Sequence, residues 1–160
     1  MGCKTSALRI LSRTMLGFVC VLGCGEIAAA HDVALVTSKN SRVKVANAAD
    51  LARMIKTVHK WPDGRDLIVV LTDPSSLEMR IVVQKLLSLK RDEFKTLIDA
   101  TNKSRMTFWV VSNDDEVLEI VRSDTSAIGL VNVYSINSNV EVLKIDGKLP
   151  LEPGYILHSQ

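Results

Sequence analysis

The sequence predicts an α/β domain with a largely parallel sheet flanked by helices. Two observations carry this. Short apolar runs alternate along the chain with segments whose apolar residues recur at helical spacing. Two of those runs, Leu67–Leu71 and Phe108–Val111, are almost continuously apolar, the pattern of strands covered on both faces.

The elements follow in order. Asp32-Val-Ala-Leu-Val-Thr37 reads as a strand, and Ser38-Lys39-Asn40-Ser41 as the loop after it. Asn47 is placed to cap a helix with Leu51, Met54, Ile55 and Val58 on its buried face. Trp61-Pro62-Asp63-Gly64 reads as a turn, and Leu67–Thr72 as a buried strand. Ser75 or Ser76 caps the next helix, whose apolar positions include Leu77, Ile81, Val82, Leu86 and Leu87. A helix is expected from about Asp92 to Thr101, burying Phe94, Leu97 and Ile98. Thr107–Ser112 reads as a second buried strand with Trp109 in the core. Asn113 and Asp114 begin a helix carrying Val117, Leu118 and Val121. Ala127–Val131 and Val140–Ile145 are late strands, and the tail after Gly147 reads as extended. No repeat or linker divides the chain after its first 30 residues.

Those first 30 residues have the makings of an export signal. Lys4, Arg9 and Arg13 precede an apolar segment, Met15–Gly23, that is short for a membrane span. Ala28-Ala29-Ala30 then offers a small-residue cleavage site before His31. The domain division expected is therefore a signal peptide over 1–30 and one domain over 31–160. Val21-Leu22-Gly23-Cys24 suggests the alternative, a lipoprotein signal cleaved before a lipidated Cys24, the one route by which the product would be tied to a membrane. Either way the expected location is periplasmic.

Cys3, Cys20 and Cys24 all lie within residues 1–30, so a product starting at His31 has no thiol chemistry and no disulfide. Lys4, Arg9 and Arg13 are three of the chain's 20 Lys+Arg, and Glu26 is one of its 18 Asp+Glu; 17 of each remain. A neutral product gives no electrostatic case for nucleic acid.

His31, His59 and His158 show no metal-ligand spacing to one another or to a carboxylate, and read as surface residues. Asp114-Asp115-Glu116 fits a helix first turn, where acids complement the dipole, better than a metal site. No GxSxG elbow, phosphate-binding Gly-rich loop or dinucleotide fingerprint is present, and no cofactor is implied. Asp73-Pro74-Ser75-Ser76 with Arg80 is the remaining cluster. Serine hydroxyls beside a bidentate guanidinium suit an oxyanion. The plainer reading is a serine cap with Arg80 on a solvated face.

The ordered series of segments resembles a family of short periplasmic proteins related to the phosphate-binding receptor of phosphate ABC transporters. The resemblance runs from about Asp32 to Leu157. It rests on the Val-Thr-Ser-Lys-Asn strand end, the turn Trp61–Gly64, and the strand-loop-helix Leu67–Arg80. It continues through Lys85–Lys90, Val111–Leu118, Ser126-Ala-Ile-Gly-Leu130 and Val142–Asp146. Leu130 stands where the family has tyrosine.

The resemblance implies a single lobe of the type II periplasmic-binding-protein fold, without enzymatic activity. It implies that Ser75, Ser76 and Arg80 contact phosphate or a similar oxyanion, helped by Ser38 or Asn40. An ABC permease or a membrane sensor would be its partner. The alternative is a periplasmic interaction module of the same fold that no longer binds a ligand. A hydrolase using Asp73 or Ser75 ranks behind both, because no histidine lies near in sequence to activate the serine.

Overall fold

The computed structural model describes residues 31–158. The expected signal segment, with Cys24 and the cleavage site, lies outside the described residues.

Among the described residues seven strands and four α-helices follow one another. They are β1 (Val33–Ser38), β2 (Val45–Ala46), α1 (Ala48–Arg53), β3 (Ile68–Leu71), α2 (Leu77–Ile81), α3 (Arg91–Ser104), β4 (Phe108–Val110), α4 (Asp114–Ser123), β5 (Ala127–Asn132), β6 (Val140–Val142) and β7 (Lys144–Ile145). Five strands form one sheet in the order β4-β3-β5-β1-β6, and β2 pairs with β7 beside it. β3 runs parallel to both β4 and β5. β1 runs antiparallel to β5 and to β6. Four of the five strands thus point one way, and β1 is the exception. Among the described residues no helix is long and apolar enough to cross a membrane.

The sheet is covered on both faces, which is why its central strands are apolar without alternation. Val33 and Leu35 of β1, Val69 and Leu71 of β3, and Ile128 and Leu130 of β5 pack with the buried faces of α1, α2 and α3. Ala34, Val36, Val70, Ala127 and Val131 turn the other way and pack with Val117, Leu118 and Val121 of α4.

Gly129 lies between the two groups of β5 side chains, on the α4 side. A Cβ there would stand 2.6 Å from Val117 Cγ1, and 2.9 Å from both Val121 Cγ2 and Val36 Cγ2. All three neighbours are fully buried and β-branched, so none can swing away. Gly129→Ala is therefore expected to cost about 1–3 kcal/mol through overpacking. An unchanged midpoint in chemical denaturation would show that α4 does not sit this close to β5.

Several expectations need correction. β4 is an edge strand, and only Phe108 of it is buried; Trp109 is 39% and Val110 50% exposed. α1 passes into a π turn, Met54–Val58. That wider turn rotates Val58 out to solvent, while Leu51, Met54 and Ile55 stay buried. α2 likewise passes into a π turn, Val82–Leu86; Leu77 is exposed, whereas Met79, Val82, Val83, Leu86 and Leu87 are buried. The last apolar run is two short strands: Leu143 N–H still donates to Leu35 O of β1 at 2.8 Å, and past it the chain pairs with β2. The tail forms turns, closed by Glu152 N–H donating to Leu149 O and Tyr155 N–H donating to Glu152 O. It buries Tyr155 and Leu157.

The Trp61–Gly64 turn is formed as expected. Gly64 N–H donates to Trp61 O at 2.9 Å, and Gly64 has φ +87°, the left-handed region that favours glycine. The buried Trp61 indole N–H donates to Ser126 O at 2.8 Å, tying the turn to the residue before β5.

Candidate functional site

The loop between β3 and α2 is built from its own side chains. Asp73 Oδ1 accepts hydrogen bonds from Ser75 N–H at 2.8 Å and from Ser75 Oγ at 2.5 Å, which fixes an Asx turn. The hydroxyl bond from Ser75, and then its backbone N–H, hold the Asp73 carboxyl below the usual carboxylate range. Ser76 is the residue that caps α2, its Oγ accepting from Met79 N–H at 3.1 Å.

The two serines are therefore not equivalent. The Ser75 hydroxyl proton is committed to Asp73, so Ser75 keeps only acceptor capacity and cannot at the same time donate to an oxyanion. Ser76 uses a lone pair for the cap and retains its proton as a donor.

Arg80 lies one turn into α2, exposed, with no side-chain partner among the described residues. It lines a cavity of about 320 Å³ together with Pro74, Ser76, Val83, Gln84 and Arg91. Arg91 opens α3 and is also exposed and without a side-chain partner among the described residues. Two guanidinium groups from different helices thus share one recess with the Ser76 hydroxyl.

Sequence reasoning missed Arg91, although a signal was there. A cation in the first turn of a helix is opposed by the dipole. α3 offsets it with Asp92 and with Glu93, whose carboxylate accepts from Lys90 N–H at 2.7 Å. A second cavity, of about 500 Å³, lies across Pro74 and Arg91 from the first; Asp73 and Ser75 are on its wall.

Ser38 and Asn40 are not brought to this site. β1 is antiparallel, so its carboxyl end lies at the amino ends of β3 and β5, with Thr37 paired to Ile128. Asp73 follows the opposite end of β3, roughly 15 Å away at ~3.3 Å per residue. Ser38 is buried and donates through Oγ to Arg122 O at 3.4 Å; Asn40 N–H donates to Ser38 Oγ at 3.4 Å. Asn40 borders a different recess, with Arg42, Asp63, Arg65 and Thr125. The apolar run Val33–Val36 carries no mark of strand direction, and only a parallel β1 would bring both loops to one edge.

The other polar clusters have structural roles. Glu116 Oε2 accepts from Ser112 N–H and Asn113 Oδ1 accepts from Glu116 N–H, both at 3.0 Å, a reciprocal cap on α4. Asp114 Oδ2 accepts from Asn132 N–H at 3.0 Å. The histidines at either end of the domain tie it together. His31 Nδ1 lies 2.9 Å from Glu78 Oε1, and His158 Nδ1 lies 2.8 Å from the buried Asp32 Oδ1. Partial burial acts to raise Glu78, but bonds from its own backbone N–H and from His31 hold it below the usual range.

No protein-family model matches the sequence, and no curated protein sequence matches it. Solved structures do. A phosphate ABC transporter substrate-binding protein with bound phosphate from Clostridium perfringens is similar at TM-score 0.57 and 17% identity, over 72% of this chain and 45% of that one. An ABC-type phosphate transport receptor from Vibrio cholerae is similar at TM-score 0.53 and 19% identity, over 74% and 48%. PstS from Borrelia burgdorferi is similar at TM-score 0.55 and 16% identity, over 74% and 49%. The chain spans a little under half the length of these structures, and over that span it has the fold of a phosphate ABC transporter substrate-binding protein.

Proposed function

We propose that this chain is an exported, non-enzymatic solute-binding protein for phosphate or a similar oxyanion. It is built as one lobe of the phosphate-receptor type and works with an ABC permease. The observation that carries the reading is the cavity shared by Arg80, Arg91 and Ser76. Neither guanidinium has an internal counter-ion among the described residues, and an oxyanion would supply charge-assisted bonds to both. Export rests on the basic and apolar pattern of residues 1–30, with cleavage before His31 or lipidation of Cys24.

Asp73 refines the choice of anion. Its Oδ2 has no partner among the described residues. Asp73 lines the neighbouring cavity and adjoins Pro74 of the wall between the two, and a carboxylate beside a bound anion accepts a hydrogen bond from a protonated oxyanion and repels one that has no proton. Hydrogen phosphate carries that proton at neutral pH and sulfate does not. Isothermal titration of residues 31–160 at pH 7 is therefore expected to show phosphate binding more tightly than sulfate. Asp73→Asn is expected to narrow the difference. No heat with either anion, and no shift of the amide NMR signals of residues 73 to 80 at millimolar anion, would remove the reading.

A second reading has its own support. Met106 is 66%, Trp109 39% and Val110 50% exposed along the free edge of β4. An apolar sheet edge suits strand addition by a partner protein. This is the interaction-module alternative, with a membrane sensor or envelope protein as the partner.

A further inference from the structure

We propose that the two cavities on either side of Pro74 take one ligand, a small aminoalkyl phosphate monoester, with its phosphate on Arg80 and Arg91 and its ammonium end in the second cavity. This rests on the oxyanion reading above and goes beyond it by naming the substituent. The cavities share Pro74 and Arg91 as a common wall, so a group held by Arg91 has access to both. Orthophosphate would occupy only the first. The second, at about 500 Å³, is of the size that encloses an organic molecule.

The second cavity also states what that substituent must be. Pro74, Ile98 and Val110 give it an apolar side. Its charged groups are Asp73, Asp92 and Asp99 against Arg91 and Lys95. With Arg91 neutralised by the phosphate, three carboxylates face one ammonium. A second anionic group on the ligand would be repelled there, and a cationic one attracted.

α3 orders these charges along one stripe. Arg91, Lys95 and Asp99 are spaced i, i+4, i+8, so they fall on one face of the helix. The Cα atoms of Arg91 and Asp99 are roughly 12 Å apart along the axis, and side-chain reach shortens the gap a ligand must bridge. A phosphate joined to an amine by a few methylenes fits that polarity and length. Lys95 and Asp99 form no ion pair with each other or with any other described residue, which leaves Asp99 available.

The test is calorimetric titration of residues 31–160 with orthophosphate, 4-aminobutyl phosphate and 2-phosphoglycolate, with sedimentation against phosphatidylethanolamine vesicles as a further arm. The expected result is that 4-aminobutyl phosphate binds roughly tenfold or more tightly than orthophosphate, as one added charge-assisted contact would give. Phosphoglycolate is expected to bind more weakly than orthophosphate. Asp99→Asn, at an exposed position, is expected to remove the gain for the amine while leaving orthophosphate unchanged. Orthophosphate binding as tightly as the aminoalkyl ester would overturn this inference and leave the oxyanion reading standing. An Asp99→Asn variant that keeps the full gain would do the same. Binding of none of the three would overturn both. Binding to vesicles without binding of the monoester would replace the soluble ligand by a lipid headgroup, and overturn the inference.

Discussion

Phe108→Ala is expected to destabilise the domain by about 3–5 kcal/mol, whereas Val110→Ala, two residues along the same strand, costs about 1 kcal/mol or less. Phe108 is 1% exposed. Its ring meets Phe94 edge to face, with centroids 6.0 Å apart at 89°, and His59 at 6.3 Å and 76°. Its backbone pairs with Val69 of β3. Removing the ring would open a cavity between the sheet edge and α3 that the rigid strand pair cannot close. Val110 is half exposed and pairs with Leu71, so its truncation loses little burial. Midpoints of chemical denaturation for the two variants would separate them. Equal losses would mean that Val110 is as enclosed as Phe108 and that the cover on this face runs the length of β4.

That contrast also marks where the sequence stops being legible. Phe108-Trp109-Val110-Val111 and Leu67-Ile-Val-Val-Leu71 look alike as strings, since both are continuous apolar runs. Strand order decides which of them is enclosed, and strand order depends on pairings between residues far apart in the chain. β3 lies between β4 and β5 and is buried; β4 has one neighbour and is not. The helix starts were readable because the capping residue and the backbone N–H it serves are two or three positions apart. Asn47, Ser76 and Asn113 all cap as the local sequence indicates. The π turn that exposes Val58 has no such local mark. Direction was the costliest loss. An antiparallel β1 sends Ser38 and Asn40 to the far edge of the sheet, and no residue in Val33–Ser38 announces it. The candidate site was half readable. Ser76 and Arg80 were found through local chemistry, while Arg91 needed the folding of α3 against α2 to reach the same cavity.

Arg80→Ala and Ser76→Ala separate binding from folding at that cavity. Arg80 is exposed and makes no side-chain bond among the described residues, so its removal is expected to change stability by less than about 0.5 kcal/mol. On the proposed oxyanion reading it supplies charge-assisted bonds worth about 1.5–3 kcal/mol, so phosphate affinity should fall roughly 10- to 100-fold. Ser76 does two things at once. Its Oγ holds Met79 N–H at 3.1 Å, and losing that cap is expected to cost about 0.5–2 kcal/mol of stability. Ser76 also lines the cavity, and on the same reading losing its hydroxyl donor weakens phosphate by a single neutral hydrogen bond, less than the arginine does. Denaturation and titration of both variants should therefore rank them in opposite orders. If Arg80→Ala binds phosphate as wild type does, Arg80 is a solvated surface residue. Ser76 would then be a helix cap and nothing more, and the edge of β4 becomes the surface through which the domain acts.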